Sequence, residues 1–285
     1  MVDSLDAFRA LFTPRYLNLD GHRYHYVDVG SGPTVVMLHG NPSWSFYYRN
    51  LIRALSTTHR VIVPDHMGCG LSDKPAAYPY QLETHVQNLT ALLEHLEVQS
   101  FGLVVHDWGG PIGLSYAVQH PEQIERILVL NTTCRAASHY PFRIRVCHVP
   151  ILGSLLVRGL NYFALGATYM GVAQPMSAAV RHGLVSPYDS YANRIANLRF
   201  IEDIPRGSNH PTLAPAQEVE AKLCELRNIP VELCWGMKDP CFTPQFLKEW
   251  QESFPDARTH TFDDAGHYVL EDATDKIISI ASEFF

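Results

Sequence analysis

The chain contains 285 residues, of which 46% are hydrophobic and 18% are charged. This composition is typical of a folded globular protein and excludes a disordered or fibrous chain. The 22 Lys and Arg residues against 29 Asp and Glu residues give a net charge of −7, so nucleic-acid binding, which needs a basic surface, is not expected. The six cysteines form no C-x-x-C pair and no zinc-ligand spacing, which favours reduced thiols, no metal site and a cytoplasmic location.

Two segments bear on membrane targeting. Residues 1–14 carry Asp3 and Asp6 and lack the basic start and apolar run of a signal peptide. Residues 159–180 carry no charge, but three glycines, a Gln-Pro pair and an asparagine argue against a membrane-spanning helix. We expect this second segment to form helices that pack over an apolar pocket.

Charge is distributed unevenly along the chain. No acidic residue occurs between Glu125 and Asp189, whereas six arginines do. A basic, apolar middle in an acidic chain indicates an insert with a role of its own. Two interpretations remain open: arginines that extend from a helical layer into water, or a surface that packs against another subunit, an anionic lipid or an anionic substrate tail. The six arginines are at positions 126, 135, 143, 145, 158 and 181.

Five apolar runs of strand length end in Gly, Pro, Asp or Asn. Their nearly continuous apolar character is typical of parallel strands covered on both faces. A helical stretch at 82–96 separates two of them. The alternation predicts an α/β fold with a mostly parallel sheet and helices on both faces, in which the chemistry lies at the carboxyl ends of the strands. The runs span 33–40, 59–68, 101–110, 126–131 and 229–236.

The motif VVHDWGG at 104–110 is the central chemical feature. A buried strand leads directly into Asp107, two glycines follow one residue later, and a helical stretch comes next. This strand–nucleophile–helix pattern is the elbow usually written G-x-S-x-G, here with Asp107 in the serine position. The turn would place the backbone N–H of Trp108 beside any charge that develops there. A helix N-cap is the alternative role for this aspartate.

A second motif, HGNPSWS at 39–45, follows the first strongly apolar strand. The backbone N–H of Asn41 could supply the other half of an oxyanion hole, and its side-chain amide could donate into the site. A structural Asn-Pro turn is the alternative interpretation.

Two further residues complete a candidate triad. His267, in DAGHYVLED, follows a glycine at an expected strand end, and Asp239 follows the strand 229–235. The order Asp107, Asp239, His267 is that of the α/β-hydrolase triad. Asp65 and Asp73, in PDHMGCGLSDKP, are interpreted as turn and packing residues. The GCG in that segment lacks the full dinucleotide fingerprint, so no nucleotide cofactor is expected.

An aspartate at the elbow implies displacement chemistry. Its carboxylate, ionised at neutral pH, attacks a substrate carbon and leaves an alkyl ester on the enzyme. His267, oriented by Asp239, can then activate a water that attacks the Asp107 carbonyl carbon. A halide leaving group needs soft N–H donors in a dry pocket, and the indole of Trp108 and the amide of Asn41 are such donors.

Together the motifs HGNPSWS, PDHMGCGLSDKP, VVHDWGG and GHYVLED resemble the haloalkane dehalogenase family of α/β-hydrolases over nearly the whole chain. The resemblance implies Asp107 as the nucleophile, His267 as the base, and Asn41 with Trp108 as the halide-stabilising pair. Some relatives place the catalytic acid just after the strand 126–131, where this chain has Asn131, which leaves Asp239 as the acid. The family implies no metal and no cofactor.

A closer similarity concerns LNTTCR, SPYDSYANRIANLRFIEDIP and GHYVLEDA, which resemble the third dehalogenase subfamily. That group also holds the β-lactone decarboxylases of bacterial long-chain olefin synthesis. The resemblance divides the chain into an α/β-hydrolase core, 1–132 and 209–285, and a helical cap, 133–208. Haloalkane hydrolysis is the first hypothesis and β-lactone decarboxylation the second, both with a small apolar substrate and Asp107 as nucleophile.

Two other functions are less favoured. Epoxide hydrolysis needs acidic donors, usually two cap tyrosines, and the cap contains five tyrosines. A non-catalytic binding protein on this scaffold normally keeps a serine triad, so the Asp/His/Asp set favours an enzyme. The basic cap also suggests a homo-oligomer formed through it. The five tyrosines are Tyr140, Tyr162, Tyr169, Tyr188 and Tyr191.

Overall fold

A single mixed sheet organises the computed structural model, which describes residues 1–136 and 141–285. The sheet has eight strands in the order β1-β2-β4-β3-β5-β6-β7-β8. The pairs β1/β2 and β2/β4 are antiparallel and all others are parallel. The predicted α/β class with a mostly parallel sheet is therefore confirmed. The strands are β1 Arg15–Leu19, β2 His22–Val29, β3 Thr34–Leu38, β4 Arg60–Pro64, β5 Phe101–His106, β6 Ile124–Leu130, β7 Val231–Gly236 and β8 Arg258–Phe262.

The central strands are fully covered, as their apolar runs predict. Every residue of β5 and β7 is buried, and two apolar clusters fill the space between the sheet and the helices on its two faces. The helices are α1 Leu5–Leu11, α2 Arg49–Leu55, α3 Leu82–His95, α4 Gly109–Ala117, α5 Phe142–Cys147, α6 Tyr162–Met170, α7 Ala178–Val185, α8 Ile195–Glu202, α9 Leu213–Lys222, α10 Pro244–Ser253, α11 Val269–Asp272 and α12 Thr274–Phe284.

All the regular secondary structure described between β6 and β7 is helical, joined by turns and irregular backbone. A π-helical turn, Ser154–Gly159, packs against α5, α6 and α8, while α9 packs against α4 on the sheet. The division of the chain at 133 and 208 stays a prediction. In the described part of the chain, no helix has the length and apolar character needed to cross a membrane. The uncharged stretch 159–180 instead contains α6 and the start of α7.

Asp65 ties together three segments of the chain: β2, the loop after β3 and the loop after β4. Its buried carboxylate accepts hydrogen bonds from the backbone N–H of Ser45 at 2.7 Å and of Leu71 at 2.8 Å, and contacts His25 Nδ1 at 2.8 Å. Burial alone would raise the pKa of Asp65, but His25 and the N–H of Leu71 lower it on balance. Asp73 instead forms an exposed ion pair with Arg23 at 3.0 Å. Both contacts agree with the packing role expected of these aspartates.

We predict that Asp65→Asn lowers the free energy of unfolding by about 3–5 kcal/mol, because it breaks a buried charged network from one side. Since folding lowers the pKa of Asp65, its contribution is present above the unfolded value and is lost as the pH falls through the folded one. Urea denaturation at neutral pH measures the effect. The matched change Asp73→Asn should cost at most about 1 kcal/mol, and equal losses in the two variants would contradict the prediction.

Candidate active site

Asp107 occupies the sharp turn between β5 and α4. Its φ of 51° is left-handed, a conformation that costs a non-glycine residue about 1–3 kcal/mol and is concentrated at functional sites. The turn depends on close approach of the neighbouring backbone. A Cβ on Gly109 would lie 2.0 Å from the carbonyl oxygen of Leu38, and a Cβ on Gly40 would lie 2.2 Å from the Asp107 side chain. These glycines therefore let the Asp107 carboxylate stand above the carboxyl end of the sheet.

Backbone donors face the Asp107 carboxylate. The N–H of Asn41 donates to Asp107 Oδ1 at 2.7 Å, and the N–H of Trp108 provides a second hydrogen bond that favours the ionised form. Preformed donors of this kind stabilise negative charge without reorganising during a reaction. These are the two N–H groups that the sequence analysis assigns to an oxyanion hole, and that role stays a prediction.

His267 lies between two carboxylates, in the loop between β8 and α11. Its Nδ1 is 2.9 Å from Asp239 Oδ2, and its Nε2 is 3.8 Å from Asp107 Oδ2. If Nδ1 carries the proton that Asp239 accepts, the lone pair of Nε2 points towards Asp107. The structure thus brings Asp107, His267 and Asp239 together in the order that the sequence predicts, although His267 follows the end of β8 by five residues.

Asn131 holds Asp239 in place, a contact that the sequence analysis missed. The Asn131 Nδ2 donates to Asp239 Oδ2 at 2.9 Å, and its Oδ1 accepts from the Gly236 N–H at 2.8 Å. The N–H of Cys241 donates to Asp239 Oδ1 at 2.6 Å. The available signal was the position of Asn131 directly after a buried strand, where polar residues are often functional.

The charges of the site are coupled. Burial raises the pKa of Asp107, although His267 and the two backbone donors oppose the rise. Burial also disfavours the imidazolium of His267, but Asp239 and Asp107 overcome that effect and raise the pKa of His267. Asp107 is therefore harder to ionise than a free aspartate, and His267 keeps its proton to higher pH than usual.

The two side-chain donors predicted for a leaving group lie at the cavity floor. Asn41 Nδ2 donates to the backbone oxygen of Asn197 in α8 at 3.0 Å, which leaves its second amide hydrogen available. The Trp108 ring lies 5.2 Å from the ring of Phe200, also in α8. The sequence analysis missed that α8 contacts both donors. The hydrogen bond between Asn41 and Asn197 joins residues 156 positions apart, which no local pattern predicts.

An apolar cavity of about 490 Å³ lies above these groups, within the range of small-molecule sites. Asn41, Asp107, Trp108 and His267 line its floor. Its walls and roof are mainly hydrophobic and come from both sides of the predicted cap boundary. They include Leu82, Leu114, Phe142, Ile144, Phe163, Ile201, Phe242 and Phe246.

Within the described residues, the tyrosines of the predicted cap do not supply the two hydroxyl donors that protonation of an epoxide oxygen would need. Among the residues that the structure describes, only Tyr162 of the five lines it. The hydroxyl of Tyr188 donates to the Ser43 backbone oxygen, and that of Tyr191 contacts Ser154 Oγ. Tyr140 lies outside the described residues. The described geometry therefore gives epoxide hydrolysis no support beyond Tyr162.

Comparison with known proteins agrees with this architecture. A family model described as the alpha/beta hydrolase fold matches residues 33–274. A cis-3-alkyl-4-alkyloxetan-2-one decarboxylase of Shewanella oneidensis is 45% identical over 100% of this chain and 90% of its own length. A protein of the same name from Xanthomonas campestris pv. campestris is 38% identical over 96% of both chains.

Dehalogenases are similar at lower identity. Haloalkane dehalogenase 2 of Mycobacterium tuberculosis is 32% identical over 96% of this chain and 95% of its own. The crystal structure of haloalkane dehalogenase DbeA from Bradyrhizobium elkani superposes with a TM-score of 0.86 at 21% identity, covering 95% of this chain and 97% of that one. That structural likeness shows the fold alone.

The sequence analysis ranked the dehalogenases first and the lactone decarboxylases second, and both groups are among the relatives. The two decarboxylases are more similar to this chain than the mycobacterial dehalogenase is, which reverses that order. The chain belongs to the α/β-hydrolase family, in the group of enzymes that contains the oxetan-2-one decarboxylases and the haloalkane dehalogenases.

Proposed function

We propose that this enzyme decarboxylates cis-3,4-dialkyl β-lactones to alkenes, with Asp107 as its nucleophile. The 45% identity to a decarboxylase across the whole chain carries the choice of substrate. The site agrees with it, because a buried carboxylate faces an apolar cavity that would accept alkyl chains. His267 and Asp239 complete the proposed triad, residues 133–208 form the proposed cap, and a cytoplasmic location remains part of the proposal.

The reaction needs two steps and no water. Asp107 Oδ2 attacks C4 of the lactone ring, the C4–O bond breaks, and its electron pair becomes part of a carboxylate attached to C3. That carboxylate then leaves as CO2. The electrons of the broken C3–carboxyl bond form the C3=C4 double bond while the bond from C4 to Asp107 breaks. The products are an alkene, CO2 and the original Asp107 carboxylate, so atoms and charge balance.

The groups around Asp107 are placed to stabilise the one negative charge that this reaction transfers between Asp107 and the substrate. The charge begins on Asp107, passes to the substrate carboxylate and comes back when the alkene forms. The N–H groups of Asn41 and Trp108 and a protonated His267 at 3.8 Å lie where this charge starts and ends. In this scheme His267 stabilises charge electrostatically and need not act as a base.

Isotope labelling separates elimination from hydrolysis. During turnover of a cis-β-lactone in H2¹⁸O, Asp107 should gain no ¹⁸O, because elimination breaks the bond between C4 and the Asp107 oxygen. The product should be the cis-alkene, since inversion at C4 followed by anti elimination preserves the cis relation. Peptide mass spectrometry of Asp107 and gas chromatography of the alkene are the measurements.

Asp107→Ala is the control for that experiment and should reduce alkene formation to the uncatalysed rate. Appearance of one ¹⁸O atom in Asp107 after a single turnover would show that water resolves the ester. A β-hydroxy acid in place of the alkene would have the same meaning and would remove the decarboxylase proposal.

Haloalkane hydrolysis is the second candidate function, favoured by the Asn41 and Trp108 donors beside Asp107. Here displacement of halide gives the same kind of ester, and water activated by His267 resolves it. His267→Phe should therefore accumulate a hexyl ester on Asp107 when the protein is incubated with 1-bromohexane, visible by mass spectrometry. The double variant with Asp107→Ala should show no adduct, and bromide release without any adduct would count against the covalent route.

The two reactions should share one pH dependence, set by Asp107, and differ in a second, set by the protonation of His267. Both require ionised Asp107, whose pKa is raised by burial, so both rates should fall as the pH drops towards that pKa, above the ordinary 3.8. Hydrolysis also needs neutral His267, so its kcat should rise as the pH passes the raised pKa of His267. Lactone turnover gains from the imidazolium and should fall over the same interval.

Steady-state profiles with a bromoalkane and a β-lactone on one enzyme preparation test this difference. Circular dichroism at each pH serves as the control for unfolding. Profiles that rise together through the same pKa would mean that His267 acts as a base in both reactions.

A further inference from the structure

The outer surface of α5, the π-helical turn and α6 carries a concentration of exposed apolar side chains. We call residues 142–170 the apolar face of the cap. Ten of the 14 large hydrophobic residues that are exposed in the described structure lie in it, with Phe142 75% and Leu160 62% exposed. Ile151 is 87% exposed and has a φ of 67°, which a β-branched residue rarely adopts. Single exposed hydrophobic residues are ordinary, but a cluster of this kind marks an interaction site.

The charged residues of this segment of the chain have one sign. No acidic residue lies between Glu125 and Asp189. Arg143 and Arg145 are exposed, and no salt bridge within the described residues involves Arg143, Arg145, Arg158 or Arg181. Arg158 and Arg181 donate to backbone oxygens, but no described carboxylate neutralises the positive charge of these four side chains.

Two of these arginines lie against tyrosines. The Arg158 guanidinium is 4.0 Å from the ring centroid of Tyr191, and that of Arg181 is 5.0 Å from that of Tyr169. Both tyrosines are exposed. Tyrosine rings and the long stems of arginine suit the boundary between lipid headgroups and acyl chains, where one end of a side chain is apolar and the other is hydrated.

The charge pattern selects the occupant. A second copy that met this face symmetrically would bring arginines against arginines, since a two-fold contact places the same patch on both sides. An anionic bilayer offers the opposite charge and an apolar layer beneath it, and it binds a surface according to buried apolar area plus electrostatic attraction. The apolar residues are distributed over three short helical elements and the loops that join them, so we expect the face to lie on the bilayer surface and not to span it.

The cavity opens onto the same face. Phe142, Tyr162 and Met170 are exposed and also line the cavity above Asp107. We infer that the apolar face of the cap docks on anionic lipid bilayers and that the cavity takes an apolar substrate directly from the bilayer. This goes beyond the proposed chemistry and holds for any water-insoluble alkyl substrate.

Vesicle sedimentation with the full chain tests the inference without substrate. Binding to vesicles of phosphatidylcholine and phosphatidylglycerol should exceed binding to pure phosphatidylcholine and should weaken with salt. Arg145→Glu should lower the partition coefficient by about fivefold or more, the contribution of one basic residue at an anionic surface. Leu155→Ser, at a position 54% exposed in the face, should lower it as well.

Matched variants outside the face supply the control. Leu11→Ser changes a leucine of nearly equal exposure, 53%, in α1, and Lys248→Glu reverses an exposed charge in α10; both should bind as the unaltered protein does. All four variants should keep normal turnover of a detergent-dispersed substrate, which separates docking from chemistry.

Three results would overturn the inference. The first is absence of binding to the anionic vesicles, and the second is equal loss in the face variants and their controls. The third combines two observations: the unaltered protein does not bind vesicles, and sedimentation velocity shows an oligomer that Leu155→Ser dissociates. That last result would instead assign the face to contact between copies of the chain.

Discussion

The burial of one carboxylate is the constraint on which the site depends. Removing Asp107 from water raises its pKa, and an isolated charge at such a place would take up a proton. The site opposes this with the N–H groups of Asn41 and Trp108 and with His267. Burial disfavours the charged form of His267, but Asp239 at 2.9 Å from its Nδ1 and Asp107 at 3.8 Å from its Nε2 together raise its pKa. Each additional group therefore stabilises the charge of the one before it.

This arrangement explains how one site is compatible with two reactions. In both proposed reactions Asp107 attacks an alkyl carbon and an ester is left on the enzyme. The difference lies in the second step. The opened lactone carries a carboxylate on the carbon next to the one that bears the ester, and its loss as CO2 expels Asp107, whereas the alkyl ester formed from a haloalkane must wait for water. A cavity that admits little water favours the first outcome, and the mainly apolar lining is consistent with that preference.

Much of the fold and the reactive groups could be predicted from local patterns. Near-continuous apolar runs identify β3 to β7 because these strands are covered on both faces. Asp107 directly follows β5, and Asp239 lies three residues after the end of β7. The roles of Asn131 and Asn197 could not be predicted in the same way. Their contacts join residues 108 and 156 positions apart, and no periodic pattern specifies which side chains meet across a sheet or beneath a cap. The motifs also could not rank the two candidate substrates, because dehalogenases and lactone decarboxylases share them.

The exposure of the apolar residues at 142–170 could not be predicted from the sequence either. The absence of acidic residues between Glu125 and Asp189 is visible in the sequence, but whether Ile151 and Leu160 point inward or into water depends on tertiary packing. The structure leaves both exposed. Contact of this much apolar surface with water costs free energy, and covering the surface with another apolar surface removes that cost. A lipid surface would relieve that cost and shorten the path of an insoluble substrate to Asp107, which links the surface of the cap to the chemistry beneath it.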